Sequence, residues 1–363
     1  MQNAHLRPIY IMKNLILAAI IAAGLGRTAG APLGADESSP LLVPILGNDY
    51  APFASVEGGA AFVRLHEWVF KEPGSGASRS GASRSDASKS GAKISAIDYD
   101  MGFQGGFRLG FGFEPYNKLK KTGLGISGIY ASYLPVNGGR VTDRDWDDNG
   151  NMFSLGTGTA SSIAFTDIEG KLRLYVPLGK ITALVLAAKL WYCRYATSAH
   201  GGWIQQADIG EPWDDGLPKE PLYGMSMMYI QEWLTIAPGL GMQLQLGRHS
   251  VSLHGTVWGG AWGYHLDYHY FRKINPSDSL ERYVIYKDTV KGNLTVSVEA
   301  EWKYPVKRYG EIGVTFVYKV VPKARGSSHI TTAGLLDDVY YEADTAGASM
   351  LQIYGGVSYK LWL

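Results

Sequence analysis

The chain has 363 residues and a formal net charge of +1, so its charge indicates neither a nucleic-acid partner nor a polybasic membrane attachment. Gly (46 residues), Tyr (23) and Trp (10) are abundant and charged residues make up only 18%, which is typical of all-β proteins with short turns and aromatic girdles. The single cysteine, Cys193, excludes an intramolecular disulfide and a thiolate metal cage, and we interpret it as a packing residue.

The N-terminus has the order of a secretory signal peptide. Positively charged residues precede an apolar run over residues 15–23, and Ala29-Gly30-Ala31 has the small residues of a cleavage site. The apolar run is shorter than the roughly 20 residues that a transmembrane helix needs. We therefore predict a cleaved signal peptide over residues 1–31 and a single mature domain over residues 32–363.

Segments with alternating apolar and polar residues follow the signal and are bounded by Gly, Pro, Asn and Asp, as β-strands are. No later apolar stretch has the length of a transmembrane helix. We predict about ten long strands. Their spans are 56–71, 93–113, 123–135, 161–177, 181–206, 222–246, 249–270, 286–304, 311–321 and 349–363.

A repetitive segment separates the first two predicted strands. The sequence from Gly76 to Ser80 recurs, with changes, up to Ser90. Such a Gly/Ser/Arg array cannot bury apolar surface. We predict a disordered extracellular loop insertion over residues 74–92, and a role in binding surface polyanions is the alternative interpretation.

An acidic segment, Gly138 to Asp148, follows the third predicted strand on an outside loop. Asp143 and Asp145 are two residues apart and project to the same side of an extended chain. At that distance each carboxylate can shift the pKa of the other. The pair is a candidate for acid–base chemistry. A solvated acidic loop is the alternative.

A His/Asp segment, Trp262 to Tyr270, ends the seventh predicted strand. Asp267 and His269 share one face, so the carboxylate can accept a hydrogen bond from one imidazole nitrogen while the other takes a proton from water. At about 3.3 Å per residue, four steps along a strand place His265 and His269 roughly 13 Å apart, too far for both to bind one ion. The segment therefore favours a general base over a metal site.

The last predicted strand has an apolar and a polar face. The apolar face carries Leu351, Ile353, Val357, Tyr359, Leu361 and Leu363, and the polar face carries Gln352, Tyr354, Ser358 and Lys360. One face suits lipid and the other a polar lumen, and strands in hydrocarbon satisfy their backbone groups only in a closed sheet. We therefore predict an all-β, transmembrane, antiparallel up-and-down barrel with short periplasmic turns and long extracellular loops.

Together these segments resemble the omptin family of outer-membrane endoproteases. Thr142 to Asp148 is similar to the family's V-D-x-D-W-x-D segment, and Asp267 to Tyr270 reproduces its D-x-H-Y segment. His66 to Phe70 resembles the first-strand segment with the pocket glutamate. Arg194-Tyr195, followed by His200-Gly201-Gly202, resembles a fifth-strand segment. The resemblance covers nearly the whole mature chain at low identity.

The resemblance implies an aspartyl-type endopeptidase that acts at the cell surface. Asp143 and Asp145 form one catalytic pair in this interpretation, and Asp267 with His269 forms the other across the barrel mouth. His269, oriented by Asp267, is the general base for a water that attacks the peptide carbonyl, and Asp145 supports the charge of the site.

The sequence departs from the family pattern in the substrate pocket and the lipid site. Glu67 matches one acid of the family's pocket for basic residues, but His265 stands where the second acid is expected. The resemblance thus implies cleavage near basic residues with Glu67 as the pocket acid. It also implies a requirement for lipopolysaccharide, for which Arg194 matches one lipid-binding residue while Tyr192 and Leu190 differ.

Other functions on the same scaffold stay open from the sequence. A non-catalytic adhesin or binding protein shares the fold and differs only in whether the four catalytic candidates converge on one water. A lipid hydrolase needs a serine beside a histidine, but Ser252 and His254 lie mid-strand without an acidic partner. A diffusion pore is disfavoured because about ten strands leave a lumen filled by side chains. We expect a monomer in the outer membrane with peptide or protein substrates, no nucleic acid, and no cofactor other than lipopolysaccharide.

Overall fold

The computed structural model describes residues 43–45, 48–70, 93–115, 118–135, 137–147, 149–208, 211, 213–257, 259–270, 283–306, 310–333 and 341–363. The predicted signal peptide (1–31) and the predicted loop insertion (74–92) lie outside these residues. In the part of the chain that is described, no helix is long and apolar enough to cross a membrane.

The regular structure of the described residues consists of β-strands. In chain order they are β1 (Val43–Ile45), β2 (Asn48–Phe70), β3 (Lys93–Pro115), β4 (Gly123–Tyr133), β5 (Asn137–Trp146), β6 (Met152–Pro177), β7 (Thr182–Gln206), β8 (Glu220–Pro221), β9 (Met225–Leu246), β10 (His249–Thr256), β11 (Gly260–His269), β12 (Tyr283–Gly292), β13 (Val296–Val306), β14 (Gly310–Ala333) and β15 (Tyr341–Trp362). The short strand β1 pairs with the start of β2, and β8 pairs with the end of β7.

The long strands close into a ring. β2 pairs with β3, neighbours follow in chain order, and β15 pairs back to β2, with every pairing antiparallel. Three wall strands consist of two pieces each, because β4 and β5, β10 and β11, and β12 and β13 share a place in the ring. Counted this way, the described residues form a closed ring of ten strands, which confirms the predicted fold class.

Side chains alternate between the lipid-facing wall and the lumen. On β15, Val357 is 59% exposed on the outer wall, whereas Gln352 and Lys360 are buried inside. This alternation confirms the two faces predicted for the last strand. Exposed apolar side chains form a band around the wall that includes Val56, Phe103, Phe107, Leu109, Leu124, Ile126, Leu172, Leu186, Leu240, Leu253, Val314 and Phe316.

The strands continue beyond this apolar band at the end that carries the long connections. The outward positions of β2 and β3 become charged there, and Arg64 pairs with Asp100 at 2.7 Å. On β12 and β14 the outward positions include Lys287 and Arg325. Charged side chains at these positions indicate that the strand ends stand in water rather than in hydrocarbon.

Several predicted strand boundaries were wrong, mainly at these strand ends. The acidic segment with Asp143 and Asp145 was predicted as a loop but lies in β5. Strands also extend over ranges predicted as connections, namely 48–55, 152–160, 322–333 and 341–348. β10 ends at Thr256 and β11 begins at Gly260, and β12 ends at Gly292 and β13 begins at Val296, so each of two spans predicted as continuous holds two strands. Outward residues of strand ends in water are polar, so the apolar alternation that marks a membrane strand is lost there.

Paired charges fill the lumen. Nζ of Lys171 lies 2.6 Å from Oε2 of Glu299 and 3.2 Å from Oε2 of Glu169. Lys189 also contacts Glu169, at 3.2 Å. Because a buried charge is costly without a partner, this pairing allows many ions to occupy the interior of the barrel.

Asp167 is the centre of a hydrogen-bond network within the lumen. Its partners come from four other strands, and they are Tyr133 (3.3 Å), Trp191 (3.4 Å), Tyr195 (3.1 Å), Lys319 (3.3 Å) and Gln352 (2.7 Å). One carboxylate therefore ties together walls on opposite sides of the ring.

Replacing this carboxylate should destabilise the barrel. We expect Asp167→Ala to lower the free energy of unfolding by about 3–5 kcal/mol, because several buried donors and a lysine lose their acceptor. Urea unfolding in detergent, followed by tryptophan fluorescence and gel migration, measures the change. Asp208→Ala, at an exposed position, is the matched control. A loss below about 1 kcal/mol for Asp167→Ala would show that the network contributes little.

Candidate functional site

One wall of the candidate site is built by β2, β3 and β5. Their register places Glu67 opposite Ile97, and Ile97 opposite Asp143, so the two acids lie in one row across three strands. Asp145 is two residues farther along β5, opposite Ser95. Glu67, Asp143 and Asp145 are buried on the inner side of the wall.

The facing wall carries the His/Asp pair. Asp267 and His269 lie on the inward side of β11, and both are buried. Nε2 of His269 is hydrogen-bonded to Oδ2 of Asp267. The ring of Tyr286, which neighbours Asp267 on β12, lies 5.1 Å from the imidazole between ring centroids. The carboxylate therefore orients the imidazole and favours a proton on Nε2.

A narrow cavity separates the two walls. It is lined by Glu67, Val69, Ser95 and Ile97 on one side and by Asp267, His269 and Tyr286 on the other. Its size is about that of one water molecule. Asp143 and Asp145 belong to the first wall but lie on the next strand beyond Ile97 and do not line the cavity. The structure thus brings Glu67 close to the His/Asp pair and leaves the Asp143/Asp145 pair beside the cavity.

Side chains that meet across the lumen set the separation of the walls. The rings of Tyr99 on β3 and Tyr229 on β9 are stacked, with centroids 5.1 Å apart. Nε2 of Gln231 donates to Oη of Tyr229 at 2.9 Å and reaches the backbone carbonyls of His66 and Ser349 at 3.4 Å. Close packing inside the barrel therefore contributes to the width of the cavity.

A second buried acid lies beside Glu67. Asp288 points inward from β12, opposite His265 on β11 and Ser328 on β14, and is 1% exposed. The side chains of Glu67 and Asp288 are within hydrogen-bonding reach of each other. A hydrogen bond between two carboxyl groups requires that one of them holds a proton.

Both acids stand on strand ends outside the apolar band, where outward neighbours such as His66 and Lys287 are polar. Burial raises the pKa of Glu67 well above its ordinary value, and the nearby charge of Asp267 raises it further. Burial also raises the pKa of Asp288, to about 6. The pair therefore retains one proton near neutral pH.

His265 occupies the place where the family resemblance implies a pocket acid. Its ring packs edge-on against Trp233 and Tyr229, with centroids 4.9 and 6.1 Å away. Burial lowers the pKa of His265 to about 3, so the imidazole is neutral. His265 therefore adds no charge to the site.

Arg194 lies on the outer wall of the barrel. Its Nε donates a hydrogen bond to Oε1 of Glu232 on β9 at 3.0 Å, and both side chains are partly exposed. The predicted lipid-binding residue is therefore separate from the cavity, and Glu232 already balances its charge.

Among the residues that the structure describes, no three His, Cys, Asp or Glu side chains are grouped so that they could hold a metal ion. Cys193 is a free, buried thiol within the hydrophobic core. Its position agrees with its interpretation as a packing residue.

The sequence analysis did not single out Asp288 or Tyr286. Both precede Val290 at two-residue steps on β12 and so share its inward face. This alternation could have placed them inside the barrel. Their closeness to Glu67 and His269 depends on how the facing walls meet, for which the sequence has no signal.

Comparisons with known proteins agree with this architecture. The model of the Omptin family matches residues 80–361. Among solved structures, the outer membrane protease OmpT from Escherichia coli matches with a TM-score of 0.66 and 15% identity, covering 90% of this chain and 100% of that chain. The transport unit of the autotransporter AIDA-I from Escherichia coli is 13% identical over 90% and 92% of the two chains, but its TM-score of 0.29 carries no argument. No curated protein sequence matches the chain.

Proposed function

This chain belongs to the omptin family, whose model matches residues 80–361, and we propose that it is an aspartyl-type endoprotease that cleaves peptides or proteins at the cell surface. An outer-membrane protease scaffold follows from the family. One observation carries the catalytic proposal: the hydrogen-bonded Asp267–His269 pair borders a water-sized cavity whose other wall is acidic.

In the proposed reaction, His269 is the general base. The Asp267 carboxylate holds a proton on Nε2, which leaves proton uptake to Nδ1. His269 removes a proton from a water in the cavity, and that water attacks the carbonyl carbon of the scissile peptide bond. Asp267 stabilises the imidazolium that forms. The imidazolium then gives its proton to the leaving amine as the C–N bond of the tetrahedral intermediate breaks. No covalent intermediate is required.

The Asp143/Asp145 pair completes the proposed site from the other wall. In the proposal Asp143, which lies beside the cavity in the structure, comes within reach of the attacking water opposite His269 when a substrate binds. Asp145 stabilises the charge that develops in the site. Both carboxylates are buried, where electrostatic interactions are stronger than in bulk water. Their burial in β5, a strand whose position is fixed on both sides by β3 and β6, supports this role.

We further propose that the enzyme cleaves next to basic residues and acts as a monomer with its site facing the extracellular side. Glu67 supports the specificity, since it lines the cavity beside the His/Asp pair. A cationic substrate side chain would offset the repulsion among the buried carboxyl groups. The strand ends that carry the site extend beyond the apolar band, where a peptide in water can reach them.

Lipopolysaccharide is the proposed activator, with Arg194 as one of its contacts. Arg194 lies on the outer wall, where a lipid headgroup can approach it. A phosphate group would compete with Glu232 for the guanidinium.

The first prediction concerns the catalytic pairs. We expect Asp143→Ala and His269→Ala each to lower kcat/KM for a quenched fluorescent Arg-Arg peptide by about 10²–10⁴-fold, because each removes a group that acts on the attacking water. Refolded protein is assayed with lipopolysaccharide present. Asp208→Ala and His249→Ala are matched controls at exposed positions. No cleavage by the parent, with or without lipopolysaccharide, would favour the non-catalytic barrel.

The second prediction concerns specificity. We expect the parent protein to cleave peptides with Arg at the cleavage site at least about tenfold better, in kcat/KM, than otherwise identical peptides with a neutral residue. The reason is the attraction between a cationic side chain and the acidic cavity. Equal rates for both peptides would remove the basic-residue preference.

The third prediction concerns the lipid. Activity should rise when lipopolysaccharide is added to the purified protein, and Arg194→Ala should raise the half-activating concentration about fivefold, as loss of one cationic contact to an anionic membrane surface implies. Arg248→Ala, on an exposed turn at the other end of the barrel, should not change it. Activity that is independent of lipopolysaccharide would contradict the requirement.

A further inference from the structure

The acids of the barrel are of two kinds. Deep in the lumen, Glu169 and Glu299 each contact lysines. Near the cavity, Glu67 and Asp288 are equally buried, but no Lys or Arg within the described residues forms an ion pair with either. Two buried acids without a cation indicate a place that a cation from outside can occupy.

The surroundings of the two acids differ. Asp288 is opposite the polar residue Ser328 on β14, and burial raises the pKa of Asp288 less than that of Glu67. Glu67 faces the charges of Asp267 and Asp143, which oppose its ionisation. The proton that the pair shares is therefore held mainly by Glu67, and Asp288 is the ionised carboxylate.

The strand register places Asp288 next to the position where the resemblance implies a pocket acid. Asp288 is the direct cross-strand neighbour of His265, the position where the resemblance implies the second pocket acid. Side chains directly opposite on neighbouring strands have their Cβ atoms about 4.5–5.5 Å apart. The carboxyl group of Asp288 therefore lies within about one side-chain width of the place that an acid at residue 265 would occupy.

We propose that Asp288, which lies directly across from residue 265, is a specificity-determining residue that supplies the negative charge of the substrate pocket. The ligand it recognises is the cationic side chain of an Arg or Lys in a peptide. This inference rests on the proposed protease function. It assigns the charge to a residue other than the acid that the resemblance identifies.

The test compares two conservative variants that remove one carboxylate each. Asp288→Asn should lower the ratio of kcat/KM for an Arg peptide over its citrulline counterpart by about 10–100-fold, because the charged partner of the guanidinium is lost. Glu67→Gln should lower the ratio less, by about threefold at most, because a protonated Glu67 supports the specificity as a hydrogen-bonding group of the cavity and not through its charge, and the amide keeps that group. Asp208→Asn is the matched control, and gel migration of the folded form checks each variant.

A binding arm separates this inference from the proposed function. The same two peptides, carrying a fluorescent label, are titrated into the parent and into both variants on a His269→Ala background, and anisotropy is measured. Loss of Arg discrimination in Asp288→Asn but not in Glu67→Gln supports the inference even where the parent cleaves nothing. Cleavage by a parent whose discrimination survives Asp288→Asn, or is lost in Glu67→Gln alone, overturns the inference and leaves the protease intact. A parent that neither cleaves nor discriminates overturns both.

Discussion

Closure of the sheet between β2 and β15 is the constraint on which the rest of the structure depends. An unpaired backbone group in hydrocarbon costs several kcal/mol, and the continuous register from Phe53–Trp362 to Phe70–Thr345 leaves no open edge between these two strands. Closure also fixes which inward side chains face each other across the lumen. Residues far apart in sequence, from β2, β3, β5, β11 and β12, come together only because the ring returns to its first strand.

Side chains fill the interior of the closed barrel, and the pairing of their charges differs along its length. In the part enclosed by the apolar band, carboxylates and cations are paired, as Lys171 is with Glu169 and Glu299. Beyond the band, the described residues that line the cavity include Glu67 and Asp267 but no Lys or Arg, and a shared proton relieves the repulsion between Glu67 and Asp288. Groups with perturbed pKa values are enriched at functional sites.

In a barrel wall, residues on adjacent strands can place the same chemical group near one point of the lumen. His265 and Asp288 are direct neighbours on adjacent strands, so a carboxyl group at either of these two positions would lie near the same point of the lumen. The neutral imidazole of His265 packs against the ring of Trp233, and Asp288 lies on the adjacent strand. Short motifs along one strand do not reveal this arrangement, because they record sequence neighbours and not cross-strand neighbours.

The sequence by itself determined the strand pattern, the two faces of strands such as the last one and, through the segments around Asp143 and Asp267, the family, which the Omptin model confirms. These features are local, because side chains alternate with a period of two and a motif lies within one strand. The tertiary structure decided the strand ends beyond the band and the placement of Asp143 and Asp145 in β5 rather than in a loop. It alone decided that Glu67 meets Asp288 and that His269 faces the acidic wall, because contacts across a lumen depend on ring closure and on packing such as that of Tyr99 against Tyr229.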